Sequence, residues 1–109
     1  LKHHGQTGLH WAALGGHAEI VRLLLARGAS VEVRDERYQG TPLDWALYGW
    51  RERRADARFY DVVAQLVGAG ARLDASWFSG GREREEAWAA MRADARMMAA
   101  LGPAAPGAA

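Results

Sequence analysis

The stretch "TGLHWAALGGHAEIVRLLLARGA", residues 7–29, decides the fold because it holds two short helical patterns and the signals that bound them. Thr7 is placed as an N-cap residue before the first pattern, and a turn that ends at His17 separates the two. The second pattern, about residues 18–26, is apolar around most of its circumference, which predicts neighbours on more than one side. Gly28 then fits the left-handed position at which many helices end. The stretch therefore predicts a pair of helices joined by a turn.

The same two-part unit occurs a second time along the chain. The segment "TGLHWAALGG", residues 7–16, matches "TPLDWALYGW", residues 41–50. Farther along, "EIVRLLLARGASV", residues 19–31, matches "DVVAQLVGAGARL", residues 61–73. The two segments of the second unit lie farther apart than those of the first, so this unit contains an insertion, "RERRADARFY" at residues 51–60.

The second unit has the stronger helix start. Thr41 can cap the helix, Pro42 suits the first helical position, and Asp44 stands where a capping box has its acid. Gly70 repeats the glycine that ends the second helix of a unit. The polar segment at residues 30–40 predicts a hairpin-like connector between the units.

The first unit resembles the ankyrin repeat. Residues 7–13, Thr-Gly-Leu-His-Trp-Ala-Ala, stand where that family has Thr-Pro-Leu-His-x-Ala-Ala. The later positions of the family pattern are met by Gly16, His17, Leu24, Leu25, Gly28 and Ala29. The resemblance implies an all-α fold, a solenoid of stacked helix-turn-helix units with hairpin-like connecting loops and a C-terminal capping helix. The many alanines and arginines suggest a bacterial member of the family.

The resemblance also predicts the domain organisation. Residues 1–76 form two repeats, the second with the insertion at 51–60 and with Asp44 in place of the family's histidine. Residues 77–102 form a C-terminal capping segment, in which residues 82–101 make one amphipathic helix, and residues 103–109 form a disordered tail. The buried stripe of the helix at residues 82–101 is expected to comprise Trp88, Met91, Ala95 and Met98. Because no cap precedes the first repeat, we expect further repeats upstream or contact of that face with another chain.

Composition excludes several classes of function. The net charge of +1 creates no field that would attract nucleic acid or an anionic membrane. The spelling His-Ala-Glu at residues 17–19 occurs in zinc deaminases, but the chain has no cysteine to complete that metal site. No apolar run is long enough to span a membrane, and no glycine-rich phosphate loop or catalytic constellation is present. We therefore expect a cytoplasmic protein that is not an enzyme and has no metal, cofactor or small-molecule substrate.

Several histidines and tryptophans are interpreted as structural. The resemblance implies that the ring nitrogens of His10 tie the start of the first helix to the adjoining turn, and Asp44 caps its own helix as an acceptor only. His17 ends the turn between the helices. Trp11 and Trp45 occupy the same place in both repeats, which favours packing between helices over a ligand site.

The resemblance implies a binding surface for a protein partner on the concave side, built from loop tips and the first helices. The candidate positions are His3, His4, Gln6, Leu14, Glu36, Arg37, Tyr38, Gln39, Tyr48 and Trp50. Tyr48 and Trp50 either anchor the insertion or form a partner hot spot. The two repeats differ at these positions but share their apolar core positions. This is expected if the core serves only to position the binding side chains.

Three functional hypotheses remain. The first is a protein interaction module of unknown partner and oligomeric state. The alternative is a structural role, in which the segment caps a longer repeat array or a multidomain protein whose activity lies upstream. Nucleic-acid binding through the arginines of residues 51–60 ranks last, because acidic residues are interleaved with them and favour local ion pairs.

Overall fold

The described part of the chain is helical. A computed structural model describes residues 6–53, 56–73 and 81–104 of the 109 residues, and these residues contain six α-helices and no strand. The helices are α1 (Gly8–Leu14), α2 (Ala18–Ala26), α3 (Pro42–Glu52), α4 (Arg58–Gly68), α5 (Arg82–Arg92) and α6 (Ala95–Leu101), followed by a short 3-10 helix, Gly102–Ala104. The expected all-α class is confirmed, and α2 has the predicted bounds.

The first helix of each repeat begins with the same reciprocal cap. The Thr7 hydroxyl accepts from the His10 amide at 3.3 Å, and the Thr7 amide donates back to His10 Nδ1 at 3.0 Å. In α3 the Thr41 hydroxyl accepts from the Asp44 amide at 3.3 Å, and the Thr41 amide donates to Asp44 Oδ2 at 3.0 Å. The predicted capping role of Asp44 is confirmed, and His10 performs the same role in α1.

The second helix of each repeat ends at a glycine in the left-handed region. The φ angles are 88° at Gly28 and 105° at Gly70, where a side chain would be strained. After Gly28, the Ala29 amide donates to the Leu24 carbonyl at 3.1 Å, which satisfies a carbonyl that the helix leaves open. The predicted helix ends at both glycines are confirmed.

The repeats stack through equivalent helices. Helix α1 packs against α3, and α2 packs against α4. The Gln65 side chain also donates from Nε2 to the Ala18 carbonyl at 3.0 Å, which links α4 to the start of α2. The core between these helices is apolar, and its largest fully buried side chains include Leu9, Val21, Leu43, Leu47, Trp50, Phe59, Val62 and Leu66.

Helix α2 packs against two helices but keeps part of its apolar surface exposed. Val21 is fully buried, but Ile20 is 48% exposed and Leu23 is 46% exposed. The predicted neighbours on more than one side are α1 and α4, and among the described residues they leave part of the apolar surface of α2 in solvent. Ile20 and Leu23 form an exposed apolar surface, here called the α2 outer face.

The insertion contributes to the core through Phe59. Its residues extend the end of α3 and the start of α4, and the fully buried Phe59 ring lies against Gly16 and Gly49. A Cβ atom at Gly49 would overlap the Leu14 carbonyl oxygen and lie 2.7 Å from Phe59 Cε1. Gly49 therefore allows α3 to approach the end of α1 and the Phe59 ring.

The C-terminal segment forms two helices where the sequence predicts one. The Asp94 side chain caps α6 by accepting from the Arg96 amide at 2.9 Å and the Met97 amide at 3.1 Å, which ends α5 before it. This break rotates the second half of the expected stripe, so that Ala95 is exposed while Met97 is buried. The described capping segment is thus a third helix pair, in which α6 packs against α4.

A polar contact joins this third pair to the second repeat. The Tyr60 hydroxyl donates to Asp94 Oδ2, and the Arg96 guanidinium lies 4.4 Å from the centre of the Tyr60 ring. The hydrogen bond to Asp94, together with burial, raises the pKa of Tyr60. Beyond α6, Pro103 and Ala104 belong to the 3-10 helix and Ala104 is buried, so the predicted disordered tail does not include these two residues.

We expect Gly49→Ala to lower the free energy of unfolding by about 1–3 kcal/mol, the usual cost of overpacking a core. The added methyl group has no space beside the Leu14 carbonyl and Phe59. Urea denaturation monitored by circular dichroism measures the change.

Gly68→Ala is the matched control, since Gly68 also lies in a helix and a Cβ there has no atom within 4 Å. The control is expected to leave stability unchanged or raise it by up to about 1 kcal/mol, from the higher helix propensity of alanine. Equal effects of the two substitutions would contradict close packing at Gly49.

Candidate functional site

A groove of about 690 Å³ lies between the connector, the first helices of both repeats and the start of α5. Four aromatic rings belong to its wall, together with charged groups of both signs. The groove is lined by Gln6, Trp11, Leu14, Arg37, Tyr38, Gly40, Asp44, Trp45, Tyr48, Glu83 and Arg84.

The connector is shaped by the buried side chain of Asp35. Its Oδ2 accepts from the amides of Arg37 at 3.1 Å and Tyr38 at 2.8 Å, while Oδ1 accepts from the Gly40 amide at 2.8 Å. Oδ1 also accepts from the Trp45 indole nitrogen at 3.2 Å. One carboxylate thus closes the turn and attaches it to α3.

These bonds decide the ionisation of Asp35. Burial alone would raise the pKa of its carboxyl group, but the hydrogen bonds from Tyr38, Gly40, Trp45 and Arg37 outweigh it and lower the pKa below the usual value. Asp35 is therefore held as a carboxylate, the form that can accept all four bonds.

His10 attaches the connector to the first repeat. Its Nδ1 accepts the Thr7 amide proton, so the ring proton is on Nε2, which donates to the Gly40 carbonyl at 2.9 Å. His10 is fully buried. The predicted structural role of His10 is confirmed, and the partner of Nε2 is the connector that enters the second repeat.

Trp45 is the centre of an aromatic platform on this wall. The rings of His10, Trp11 and Tyr38 stand edge-on to Trp45, with ring centres 5.1, 5.2 and 6.4 Å away. Trp45 is only 8% exposed, as its predicted packing role requires. Trp11 is 52% exposed, so the expectation that both tryptophans are packed between helices is wrong for Trp11.

Three aromatic side chains of the groove are exposed to solvent. Trp11, Tyr38 and Tyr48 are 52%, 67% and 63% exposed. The Arg37 guanidinium lies 5.9 Å from the centre of the Tyr38 ring. The wall therefore presents flat apolar surfaces with a cation at one position.

Five of the predicted binding residues line this groove: Gln6, Leu14, Arg37, Tyr38 and Tyr48. Glu36 and Gln39 are exposed on the connector but do not line the groove. His3 and His4 lie outside the described residues. The prediction for Trp50 is wrong, because its side chain is 1% exposed and belongs to the core.

Helical spacing explains the difference between Tyr48 and Trp50. Trp50 follows Leu43 and Leu47 on the buried stripe of α3, whereas Tyr48 follows Asp44 on the side that faces the groove. The apolar spacing of α3 therefore contained the signal that separates these two aromatic residues.

Sequence reasoning missed the groove's other lining residues, notably Trp45 and the α5 pair Glu83 and Arg84. It also missed Asp35, although an aspartate that begins a tight turn is a recognised signal. No comparable signal places the start of α5 beside α3, because these elements are distant along the chain.

Neither a metal site nor a membrane span is found in the part of the chain that the structure describes. No group of three His, Asp or Glu side chains there is close enough to hold a metal ion. None of the described helices has the length and apolar character needed to cross a bilayer.

Comparisons with known proteins agree with the fold. Residues 3–46 match the family described as ankyrin repeats (many copies). The chain is 42% identical to the palmitoyltransferase ZDHHC17 of Danio rerio over 73 residues, which cover 60% of the chain and 12% of that protein. It is 42% identical over 69 residues to the ankyrin repeat domain-containing protein SAT10 of Stachybotrys chartarum, covering 63% of the chain and 3% of that protein.

A third relative is the palmitoyltransferase Hip14 of Drosophila melanogaster, 42% identical over 40 residues, which cover 37% of the chain and 6% of that protein. The chain thus spans a small part of the curated relatives that it matches. No solved structure matches it significantly.

We expect Asp35→Asn to lower the free energy of unfolding at pH 7 by about 1–3 kcal/mol, since an amide replaces one acceptor oxygen with a donor. Glu36→Gln, the same change at an exposed neighbour, is the control and should alter stability by less than about 0.5 kcal/mol. Urea denaturation of both variants measures the difference.

The effect of Asp35→Asn should also depend on pH. The folded pKa of Asp35 lies below the unfolded value of about 3.9, so its stabilisation is present above that pH and is lost as the pH falls through the folded pKa. The difference in stability between the original chain and the variant should therefore shrink below about pH 4. A difference that stays constant on acidification would show that the carboxylate form is not required.

Proposed function

Because the chain is an ankyrin repeat protein, we propose that it binds a protein partner in the groove between the connector, α1, α3 and α5. Ankyrin repeats are generally protein interaction modules. The observation that carries the proposal is the exposure of Trp11, Tyr38 and Tyr48 on one wall around Trp45. Large aromatic side chains are enriched among the residues that dominate binding energy in protein interfaces.

The energetics of the wall support this proposal. An exposed aromatic ring gains free energy when its apolar surface leaves water, at about 25 cal/mol per Å². Three such rings lie close together rather than scattered over the surface, and a contiguous apolar surface is a feature of interaction sites.

The wall is also rigid before any partner arrives. Asp35 holds the turn that carries Arg37 and Tyr38, and His10 fixes the same connector to α1. A partner that contacts these side chains therefore loses little free energy to ordering of the loop.

We propose that this chain is a binding module and not an enzyme. Two relatives are named palmitoyltransferases, but the matches cover only 12% and 6% of those proteins. A shared repeat does not transfer the activity of a whole protein. We also propose a cytoplasmic location, which suits a chain without cysteine.

Nucleic acid is a weaker candidate partner. In the insertion, Arg58 forms an ion pair with Asp56 at 2.7 Å, and the hydrogen bonds from Arg58 lower the pKa of Asp56 to about 2. One of the arginines that would contact phosphates is therefore neutralised locally, as expected if acidic residues are interleaved for ion pairing.

The α2 outer face supports a second candidate function, in which the segment belongs to a longer repeat array. Ile20 and Leu23 are about half exposed on a helix whose composition suits a buried position. In a repeat stack such a face is covered by the next repeat. This role and the groove are compatible, because they use different surfaces.

The test is capture of a partner from an extract of the source organism on the immobilised chain, followed by mass spectrometry and calorimetry with the purified partner. Tyr48→Ala and the double variant Arg37→Ala, Tyr38→Ala should each weaken binding by about 2 kcal/mol, roughly thirtyfold in Kd, if the groove is the site. Circular dichroism should show unchanged folding, because these side chains are exposed.

The double variant Ile20→Ala, Leu23→Ala is the matched control, since it removes exposed apolar surface outside the groove. It should leave partner affinity unchanged. Loss of binding in this variant, with full binding by the groove variants, would overturn the groove as the site and place the partner on the α2 outer face.

A further inference from the structure

The groove contains two exposed charged side chains that form no ion pair with another residue of the described segments. Arg37 and Glu83 are both exposed, and among the described residues neither forms an ion pair. They belong to different elements, Arg37 to the connector and Glu83 to the first turn of α5. Asp44 is engaged in the cap of α3, and Arg84 is partly buried. Of the groove residues that the structure describes, Arg37 is thus an exposed cation and Glu83 an exposed anion.

Arg37 lies beside the aromatic wall. Its amide donates to Asp35, and its guanidinium lies 5.9 Å from the centre of the Tyr38 ring. The guanidinium group is planar, and its N–H groups can form two parallel bonds to a carboxylate.

The aromatic wall belongs to the same groove as these charges. Trp11 and Tyr48 expose apolar surface there, and Leu14 also lines it. A ligand that used all these groups would need apolar side chains together with charges of opposite sign. Extended peptides alternate their side chains and can present such a set.

On the premise that the groove is the protein-binding surface, we propose that its occupant is an extended peptide segment with apolar residues between an acidic and a basic residue. The acidic residue binds Arg37, the basic residue binds Glu83, and the apolar residues contact Trp11 and Tyr48. A uniformly acidic segment would meet Glu83, and a uniformly basic one would meet Arg37, so both are disfavoured by like-charge repulsion.

Three pools of fluorescent hexapeptides test the proposal. Each peptide has four central positions randomised among Leu, Ile, Val and Phe, with one charged residue on each side. In the mixed pool the two flanking residues are Glu and Lys, in both orders. In the two uniform pools they are Glu and Glu, or Lys and Lys. Fluorescence polarisation at low salt should show the mixed pool binding about threefold to tenfold more tightly than either uniform pool, the range expected for exposed ion pairs. The measurement is then repeated in about 0.5 M salt. The difference in affinity between the pools should diminish there, because salt screens exposed charges.

Reversing one charge of the groove should change which peptide pool it binds most tightly. With Arg37→Glu the groove should favour the Lys and Lys pool, and with Glu83→Lys it should favour the Glu and Glu pool. Matched controls are Arg27→Glu and Glu85→Lys, which make the same changes at exposed residues outside the groove. Glu85 also lies in the first turn of α5, so its variant controls for the effect of a lysine at that helix start.

Two outcomes would overturn the mixed-charge peptide, and they differ in their consequence for the proposed function. If all pools bind equally and Tyr48→Ala abolishes that binding, the groove binds peptides without reading their charge, and the proposed function survives. If no pool binds, or the control reversals act like the groove reversals, the mixed-charge peptide is excluded as the occupant. Capture of the partner then decides the proposed function by itself.

Discussion

The four hydrogen bonds that Asp35 accepts are the constraint on which the connection between the repeats depends. A connector without helix or strand leaves its amides without regular partners, and unpaired buried amides are costly. The two oxygens of one carboxylate accept three of these amides and the Trp45 indole N–H. His10 completes the arrangement by donating to the Gly40 carbonyl from the first repeat. The turn, the start of α3 and the start of α1 are thereby fixed relative to one another.

The aromatic wall follows from that constraint. Because Trp45 is oriented by Asp35 and flanked by three rings, Trp11 and Tyr38 lie against a supported surface while half or more of each ring remains in water. A protein that only needed stability would gain by burying these rings. Their exposure beside a hydrogen-bonded connector is instead the arrangement that the proposed partner binding requires, since apolar area is available to a partner and little order would be lost.

The stack itself depends on close packing near the insertion. Gly49 and Gly16 leave space that the Phe59 ring fills, so the lengthened link of the second repeat supplies a core residue. On the other side of α4, the third helix pair is attached by α6 and by the Tyr60 to Asp94 hydrogen bond. The insertion therefore contributes to both neighbours of the second repeat.

The sequence by itself determined the helix class, both caps, the two glycine helix ends and the role of His10, because each depends on residues close together along the chain or on a repeated pattern. Tertiary structure decided which apolar side chains are buried. Trp11 and Trp45 are equivalent by repeat position, yet only Trp45 has rings packed around it. The break at Asp94 and the placement of Glu83 in the groove also depend on long-range packing. Burial depends on what lies on each side of a residue in space. The apolar spacing within one helix separates Trp50 from Tyr48, but it does not separate Trp11 from Trp45.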